Sequence, residues 1–514
     1  MRKTFTIASL VLTAAAASIM NAQQAPSVLW QKAIGGNSSE NVNVIGVSPD
    51  ATKFVTVGVS YSTDHHAVGN RGSGDALMTI GDVATGDLVS YNLGGSDLDD
   101  ILGISNTSDG GYILAGLTNS QDYGLSTKGG SDVWLVKMNA EGQVQWQKTY
   151  GGYFMEWTYK AVESEDGGFI FTGHTESWDG DVSGTLGGAS DIWMGKVDAA
   201  GDLVWEKRFR GTDVETSYDM VAAPGGGAYI VGGTYSTEIE GSKGMYDGLI
   251  IKINDQGTVE WSRAYGGTDD DVLRRIVLDT EGNLIVGGTI WSYDHDITGN
   301  KGMIDYWVMK VSPSGEVIWS KTYGGTQNDQ FRSIDVTNEG GIIAAGYTFS
   351  NNGDVSGNHG SNDMWLIALD GEGNKIWQKA LGGANGDLAL NIRQLPDGSF
   401  LAGGVVSSFD GDVPPNLGDT DGCLLHLGAA LAVEDTQGKS SVSVYPNPFS
   451  EELYLKSDQK INSTKLTDMS GRVVPTESIE SKNGKINASK LQKGMYILTV
   501  ETEKGTETRK VIKK

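Results

Sequence analysis

The sequence predicts an all-β protein: a seven-bladed β-propeller of about 58-residue four-stranded repeats, followed by a small C-terminal β-sandwich. A tryptophan-containing segment recurs every 56 to 59 residues, and so regular a period is typical of repeat architectures. Each unit holds four short strand patterns and no helix pattern, as a propeller blade does. The chain has 73 glycines but only 10 prolines, which favours short strands and tight turns. The repeated position falls at Trp30, Val89 (a degenerate copy), Trp146, Trp205, Trp261, Trp319 and Trp377.

Charge and cysteine content exclude several classes of protein. The formal net charge is −26, and so acidic a body repels nucleic acid and anionic membrane surfaces. Cys423 is the single cysteine, so no intramolecular disulfide can form and stability must come from burial or from bound ions. We therefore expect no nucleic-acid partner.

Residues 1–22 have the pattern of a secretory signal peptide. Arg2 and Lys3 form a charged start, an apolar stretch follows, and Ala22 supplies the small residue that signal peptidase requires. No later stretch is apolar for long enough to predict a transmembrane segment. The protein is expected to be secreted, or held on the outer-membrane surface, after signal-peptide cleavage. The rest of the chain divides into a propeller (23–428), a linker (429–440) and a second domain (441–514).

The two ends of the repeat region are complementary. The first strand, from Val28 to Ile34, has no hairpin partner before it, and the last, from Asp421 to Leu427, has no tryptophan strand after it. Pairing of these two strands would close the ring at seven blades and leave no exposed sheet edge. The alternatives are an open solenoid, which needs capping repeats, and a ring of six or eight blades if Val89 is miscounted.

The C-terminal region resembles a known family. Its motifs are Val444-Tyr-Pro-Asn-Pro448, Asp468-Met-Ser-Gly-Arg-Val-Val474, Leu491-Gln-Lys-Gly-Met-Tyr-Ile-Leu-Thr-Val500 and a basic end. In this order they resemble the type A C-terminal sorting domain of the type IX secretion system of Bacteroidetes. The resemblance implies a seven-stranded sandwich, the type IX secretion machinery as partner, and passage across the outer membrane. The residues that carry it are Tyr445, Pro446, Asn447, Pro448, Gly471, Gly494 and Tyr496. Composition alone predicts only a short all-β domain.

The hairpin of each blade carries a second resemblance. Asp198-x-x-Gly201-x-x-x-Trp205 recurs at Asp370, Gly373 and Trp377. It is similar to the tryptophan-docking motif of quinoprotein-type propellers, whose indoles wedge between adjacent blades. The resemblance supports the fold without implying a quinone cofactor.

Two series of carboxylates repeat with the blades. The first lies four residues after each Gly turn and is predicted to ring one rim of the central channel. Its side chains would either accept hydrogen bonds from loop amides or hold cations. It comprises Glu40, Asp99, Glu156, Glu215, Asp271, Asp329 and Asp387. The second series is predicted to pin the end of the long loop in each blade. It comprises Asp75, Asp132, Asp191, Asp247, Asp305, Asp363 and Asp421.

Paired acids in three long loops are weak candidates for calcium ligands. Two carboxylates separated by one residue can present oxygens to Ca²⁺, with backbone carbonyls completing the shell. The alternative is solvated turns. Calcium is the one cofactor that the sequence indicates. The pairs are Asp179 with Asp181, Asp294 with Asp296, and Asp410 with Asp412.

Aromatic residues that break the sevenfold repeat mark a candidate ligand-binding face. We assign Trp157, Trp178, Trp291, Tyr293 and Phe154 to loops on one face. Flat rings beside carboxylates and amides suit sugars, because C–H faces stack while hydroxyl groups find acceptors. The alternative is that these rings pack one loop against another.

These patterns predict a secreted or cell-surface binding module for extracellular polysaccharide or for a protein ligand. The alternative is a polysaccharide-acting enzyme that uses two acids on the face that carries these loops, such as Glu156 and Asp179. A quinone-dependent dehydrogenase is a third hypothesis. No Ser-His-Asp order or phosphate-binding loop is visible in the sequence, so no catalytic residue is assigned.

Overall fold

A computed structural model describes residues 25–430 except 186, and, in the C-terminal region, residues 442–445, 449–457, 460–468, 473–474, 481–502 and 505–514. The chain divides into two compact units between residues 432 and 433. The predicted signal peptide, residues 431–440 of the predicted linker, and Pro446, Asn447, Pro448 and Gly471 of the sorting motif lie outside the described residues.

The first unit is built from short antiparallel strands in the order that the repeat predicts. The strand before the first blade is β1 (Val28–Ile34). Blade 1 contains β2 (Val44–Val47), β3 (Lys53–Ser60), β4 (Asp75–Asp82) and β5 (Leu88–Leu93), with a short 3-10 helix at His65–Ala67. Blade 2 contains β6 (Asp99–Asn106), β7 (Tyr112–Thr118), β8 (Asp132–Met138) and β9 (Val144–Tyr150). Blade 3 contains β10 (Glu156–Glu163), β11 (Phe169–Thr175), β12 (Asp191–Val197) and β13 (Leu203–Phe209).

The remaining blades follow the same plan. Blade 4 contains β14 (Glu215–Ala222), β15 (Ala228–Thr234), β16 (Asp247–Ile253) and β17 (Val259–Tyr265). Blade 5 contains β18 (Asp271–Leu278), β19 (Leu284–Ile290), β20 (Asp305–Val311) and β21 (Val317–Tyr323). Blade 6 contains β22 (Asp329–Val336), β23 (Ile342–Thr348), β24 (Asp363–Leu369) and β25 (Lys375–Leu381). Blade 7 contains β26 (Asp387–Gln394), β27 (Phe400–Val406) and β28 (Asp421–Leu427).

Strand β1 closes the ring. It pairs antiparallel with β28, from Val28 opposite Leu427 to Ile34 opposite Gly422, and the sheet order is β1-β28-β27-β26. The seventh blade therefore has four strands, like the other six. The predicted seven blades and their closure by the N-terminal strand are confirmed.

The repeated tryptophans fasten each blade to the next. The indole N–H of Trp146 in blade 2 donates to the carbonyl of Ala199 in blade 3 at 3.0 Å, and the ring lies against Gly201. A Cβ at Gly201 would come within 3.2 Å of that ring. Trp205 and Trp319 make the same bond to the carbonyls of Asp255 and Gly371 in the following blades. This geometry explains why Gly and Trp recur together.

The apolar core lies between the blades. The tryptophans of the third strands, such as Trp193 and Trp307, are fully buried, and Trp193 packs with side chains from both blade 2 and blade 3. A blade of four short strands cannot bury both of its faces alone, so each face packs against a neighbouring blade.

The second unit holds seven strands in two sheets among its described residues. One sheet has the order β29-β30-β33 and the other β32-β31-β34-β35. Both sheets contribute to one core, to which Leu455, Leu466 and Leu498 belong. The strands are β29 (Val442–Tyr445), β30 (Glu452–Ser457), β31 (Ile461–Asp468), β32 (Val473–Val474), β33 (Asn483–Asn487), β34 (Gly494–Thr502) and β35 (Gly505–Lys513). Across the described residues of both units, no helix is long and apolar enough to cross a membrane.

Candidate functional site

The Gly turn before the inner strand and the long loop after the second strand of each blade emerge on one face of the propeller, which we call the loop face. In blade 3, Glu156 begins the inner strand β10 opposite Thr175 at the end of β11, and Thr175 in turn faces Asp191 at the start of β12. The Gly turn before β10 and the long loop after β11 therefore lie at the same end of the sheet. The opposite end carries the tight turns.

The first carboxylate series lies inside the blades instead of on an open channel rim. Glu40 is 3% exposed and the other six are fully buried. In every blade the carboxylate accepts a hydrogen bond of 2.5–2.9 Å from the amide of the Gly four residues earlier. Glu156 also accepts bonds from the Thr175 hydroxyl and the Ser177 amide. These contacts match the loop-fastening alternative of the prediction. They leave Glu156 poorly placed to act as a catalytic acid.

The second carboxylate series is equally buried and lies beside the first. Each member accepts a bond from the amide four residues earlier, as Asp132 does from Lys128 at 3.0 Å. Among the described residues, one oxygen of Asp132 and one of Asp305 have no hydrogen-bond partner. Burial, and to a smaller extent the charges of the adjacent carboxylates Glu156 and Asp329, raise the pKa of Asp132 and Asp305 to about 7. Each of these carboxyls therefore takes up a proton more readily in the folded protein than in the unfolded chain.

Replacing Asp132 with asparagine is expected to stabilise the propeller at pH 8 and to have a smaller effect near pH 5. The pKa of Asp132 is about 7 in the folded protein, against an ordinary value of 3.8 for an aspartate. Stability from this group is thus present at low pH and is lost as pH rises through 7. An asparagine imitates the protonated form, so we expect a gain of about 1–2 kcal/mol at pH 8. The measurement is the melting temperature at both pH values. Asp87→Asn, which removes the same charge from an exposed turn, is the control, and equal shifts in the two variants would contradict the assignment.

The paired acids of the long loops fasten the neighbouring Gly turn. Asp179 accepts a bond from the Tyr153 amide at 2.8 Å, and Asp181 accepts one from the Gly151 amide at 3.1 Å. Asp181 also forms an ion pair with Lys128. The other two pairs make the equivalent amide contacts: Asp294 with Thr268, Asp296 with Gly266, Asp410 with Ala384 and Asp412 with Gly382.

Calcium binding by these loops stays a prediction. In the part of the chain that the structure describes, no group of three or more His, Cys, Asp or Glu is arranged to hold a metal ion, so backbone carbonyls would have to supply much of the shell. If calcium binds the folded state, the melting temperature in calcium will exceed that in EDTA. Equal melting temperatures would contradict it.

Two of the predicted aromatic side chains and one neighbour form a cluster on the loop face. We call Tyr153, Phe154 and Trp178 the blade 3 aromatic patch. The ring centres of Phe154 and Trp178 lie 4.9 Å apart, and those of Tyr153 and Phe154 lie 5.3 Å apart. The three side chains are 67%, 38% and 55% exposed. Tyr153 was not predicted, although its position beside Phe154 in the Gly turn could have indicated it.

The other predicted aromatics lie elsewhere. Trp157 does not belong to a loop: it is the second residue of β10, packs against His174 and donates to the Tyr159 hydroxyl at 3.3 Å. Trp291 and Tyr293 belong to blade 5, where Tyr293 is exposed and Trp291 is half-buried. Among the described residues no ring contact joins this pair to the blade 3 aromatic patch.

A β-bulge in the inner strands shapes the central channel. In blades 2 to 7 the pairing of the first two strands skips one residue, the third after the buried carboxylate. A bulge turns its extra residue out of the regular alternation. A cavity of about 170 Å³ in the channel is lined by these residues together with Asn43 and Arg275. The bulge residues are Leu102, Tyr159, Tyr218, Arg274, Arg332 and Leu390.

A second cavity of about 390 Å³ lies further along the channel, among residues nearer the ends of the inner strands. It also has charged walls: Lys160, Arg275 and Arg393 are cationic, and Asp219 and Asp335 are anionic. Burial lowers the pKa of Lys160 to about 8, and Asp219 opposes that shift. These cations were not predicted from the sequence. A signal was present in the sequence, because basic residues are scarce in this acidic chain and these three lie four to six residues after the buried carboxylate in blades 3, 5 and 7.

Comparisons with known proteins identify the second unit. Residues 443–514 match the family model for the secretion system C-terminal sorting domain. In that domain, Tyr445 stacks on Tyr454 at 5.9 Å, Tyr496 is buried with its hydroxyl donating to the Gln492 carbonyl, and Gly494 begins β34 with φ of +148°.

The chain is also similar, at low identity, to other proteins. It is 23% identical over 257 residues to the regulatory protein FlaEY of Caulobacter vibrioides, a match that covers 45% of this chain and a quarter of that protein. Among solved structures, the β-propeller domain of the Trilobed protease from Pyrococcus furiosus aligns at 8% identity and a TM-score of 0.38, covering 71% of this chain and 91% of that one. A puromycin hydrolase aligns at 11% identity and a TM-score of 0.42, covering 93% and 62%. Similarity at this level says nothing about a ligand. The chain is a secreted β-propeller protein that carries a type IX secretion sorting domain at residues 443–514.

Proposed function

We propose that the propeller is an extracellular binding module for a neutral polysaccharide and that the blade 3 aromatic patch is its contact surface. The observation that supports this is the exposure of three adjoining rings on one loop face. Contiguous exposed apolar clusters often mark interaction sites, whereas single exposed apolar residues do not. Aromatic faces stack against the C–H faces of sugar rings.

Charge favours an uncharged glycan over an acidic one. Asp179 lies next to Trp178 in sequence, is exposed, and is fastened to the turn that carries Tyr153. The whole chain has a formal net charge of −26, so an acidic polymer would be repelled from this face. The exposed carboxylate can accept hydrogen bonds from sugar hydroxyl groups.

Replacing Trp178 or Phe154 with alanine is expected to weaken polysaccharide binding roughly tenfold or more. An aromatic side chain that becomes buried when the ligand binds contributes a large share of the binding free energy. The test incubates the exported protein with neutral and acidic polysaccharides and measures both retention and released sugars. Phe409→Ala is the matched control: Phe409 occupies the same repeat position in blade 7 and is 65% exposed, but its Gly turn carries Asn385 in place of an aromatic residue.

Each outcome decides between the hypotheses. Retention without release, lost in the Trp178 and Phe154 variants and kept in Phe409→Ala, supports the binding module. Released sugars would assign the protein to the enzymes. Absence of retention on any polysaccharide would contradict the proposal and favour a protein ligand for the same patch.

A further inference from the structure

The smaller of the two cavities in the central channel is a cationic pocket in an acidic protein. The 170 Å³ cavity is lined by Arg274, Arg275 and Arg332, with Tyr159 and Tyr218 beside them, and no carboxylate belongs to its lining. The formal net charge of the chain is −26. Three guanidinium groups in one narrow cavity therefore give it a charge opposite to that of the protein as a whole. A cavity with walls of one charge focuses the field and concentrates counter-ions.

Two of these arginines lack anionic partners within the described residues. The guanidinium groups of Arg274 and Arg332 form no ion pair and donate no hydrogen bond to another described residue, and the buried Nε–H of Arg332 has no partner. Burial lowers the pKa of Arg274, and the positive charge of Arg332 lowers it further. A buried donor left without an acceptor costs free energy, so an acceptor between these groups would stabilise the fold.

The carboxylates of the channel are engaged elsewhere. Asp219 accepts a bond from the Ile276 amide at 3.1 Å. Asp335 accepts one from the Gln394 amide and lies 3.7 Å from Arg393. Asp100 accepts a bond from the Asn43 side chain at 3.1 Å. None of the three forms an ion pair with Arg274 or Arg332.

The two arginines are held from the side by aromatic rings. The guanidinium carbon of Arg274 lies 5.1 Å from the ring centre of Tyr218, and that of Arg332 lies 5.6 Å from the ring centre of Tyr347. Cation–π contact holds a guanidinium without using its N–H donors. The donor edges thus stay available for a planar or tetrahedral oxyanion, which arginine binds in a forked geometry.

We propose that the 170 Å³ cavity of the channel is a binding site for a small oxyanion, a phosphate, sulfate or carboxylate group, held by Arg274 and Arg332 together with Arg275. The cavity is large enough for one such group and too small for an oligosaccharide chain. This site is separate from the blade 3 aromatic patch and does not depend on the proposed polysaccharide function.

The test measures binding of inorganic phosphate, sulfate and glucuronate to the full exported chain by calorimetry, at constant ionic strength against chloride. We expect binding by at least one of them, and a loss of roughly tenfold or more in Arg274→Gln and in Arg332→Gln, as expected for charge-assisted hydrogen bonds. The affinity of Arg332→Lys is expected to lie between that of the parent protein and that of Arg332→Gln, since lysine keeps the charge but loses the forked pair of donors. Arg210→Gln removes one charge from the exposed surface and should leave binding unchanged.

A second measurement does not depend on the variants folding. Crystals soaked in selenate should show the anomalous signal of selenium between Arg274 and Arg332. Binding of phosphate or sulfate alone would indicate a free ion as ligand, and binding of glucuronate alone would indicate an acidic sugar; both support the site. No binding of any probe, unchanged binding in the folded Gln variants, or selenate located only elsewhere would overturn the proposal.

Discussion

Deleting residues 25–34 is expected to prevent the propeller from folding as a closed ring. The deletion removes β1, which supplies the outer strand of blade 7. It also removes Ile34, 1% exposed, and Trp30, whose indole N–H donates to the Val83 carbonyl of blade 1 at 2.9 Å. Lost ladder bonds and lost burial together predict a destabilisation of more than about 5 kcal/mol.

The measurement is cooperative unfolding of the chain from residue 23, monitored by tryptophan fluorescence and calorimetry. Trp30→Ala keeps the strand but removes the inter-blade contact, and we expect it to cost about 2–4 kcal/mol while leaving one cooperative transition. A deletion variant that unfolds at the same temperature as the parent would show that the other blades are stable without closure.

Removing residues 441–514 is expected to abolish delivery to the cell surface and the medium. The sorting domain lies within this segment, at residues 443–514, and its strands form a core of their own from β29 to β35. The truncated protein should accumulate in the periplasm, because the predicted signal peptide still directs it across the inner membrane. Cell fractionation with immunodetection measures the outcome.

Two controls separate export from folding. The melting temperature of the truncated propeller should match that of the propeller in the full chain, because its seven blades are intact. Fusion of residues 441–514 to an unrelated periplasmic reporter should carry the reporter to the surface. Normal surface delivery of the truncated protein, or failure of the fusion to leave the periplasm, would contradict the assignment.

The candidate sites show where reasoning from sequence reaches its limit. Glu156 and its six relatives are visible as a series, and so is their contact with the Gly turn, because four residues separate donor and acceptor in every blade. Their complete burial is not visible, since Thr175 and Ser177 cover Glu156 from a strand and a loop about twenty residues away. Phe154 and Trp178 were both predicted, but only the fold brings their rings within 4.9 Å.

The residues that line the channel were not predicted from the sequence, for a physical reason. Tyr159, Tyr218, Arg274 and Arg332 are separated by 56 to 59 residues, and each is one residue out of step with the simple alternation of its strand. A strand without a bulge would alternate these side chains between the faces of the blade. The bulge changes that alternation, and pairing across the sheet decides where the bulge falls.

The sequence by itself determined the number of blades, their order, the closing strand and the identity of the C-terminal domain. These features follow from a repeat period, from hairpins of short span and from contiguous motifs, all of which can be recognised from the order of residues along the chain. The tertiary structure alone decided which carboxylates are buried, that Trp157 belongs to an inner strand, and that Arg274 and Arg332 share a cavity. Those properties depend on packing between blades, where the neighbours of a side chain come from distant repeats.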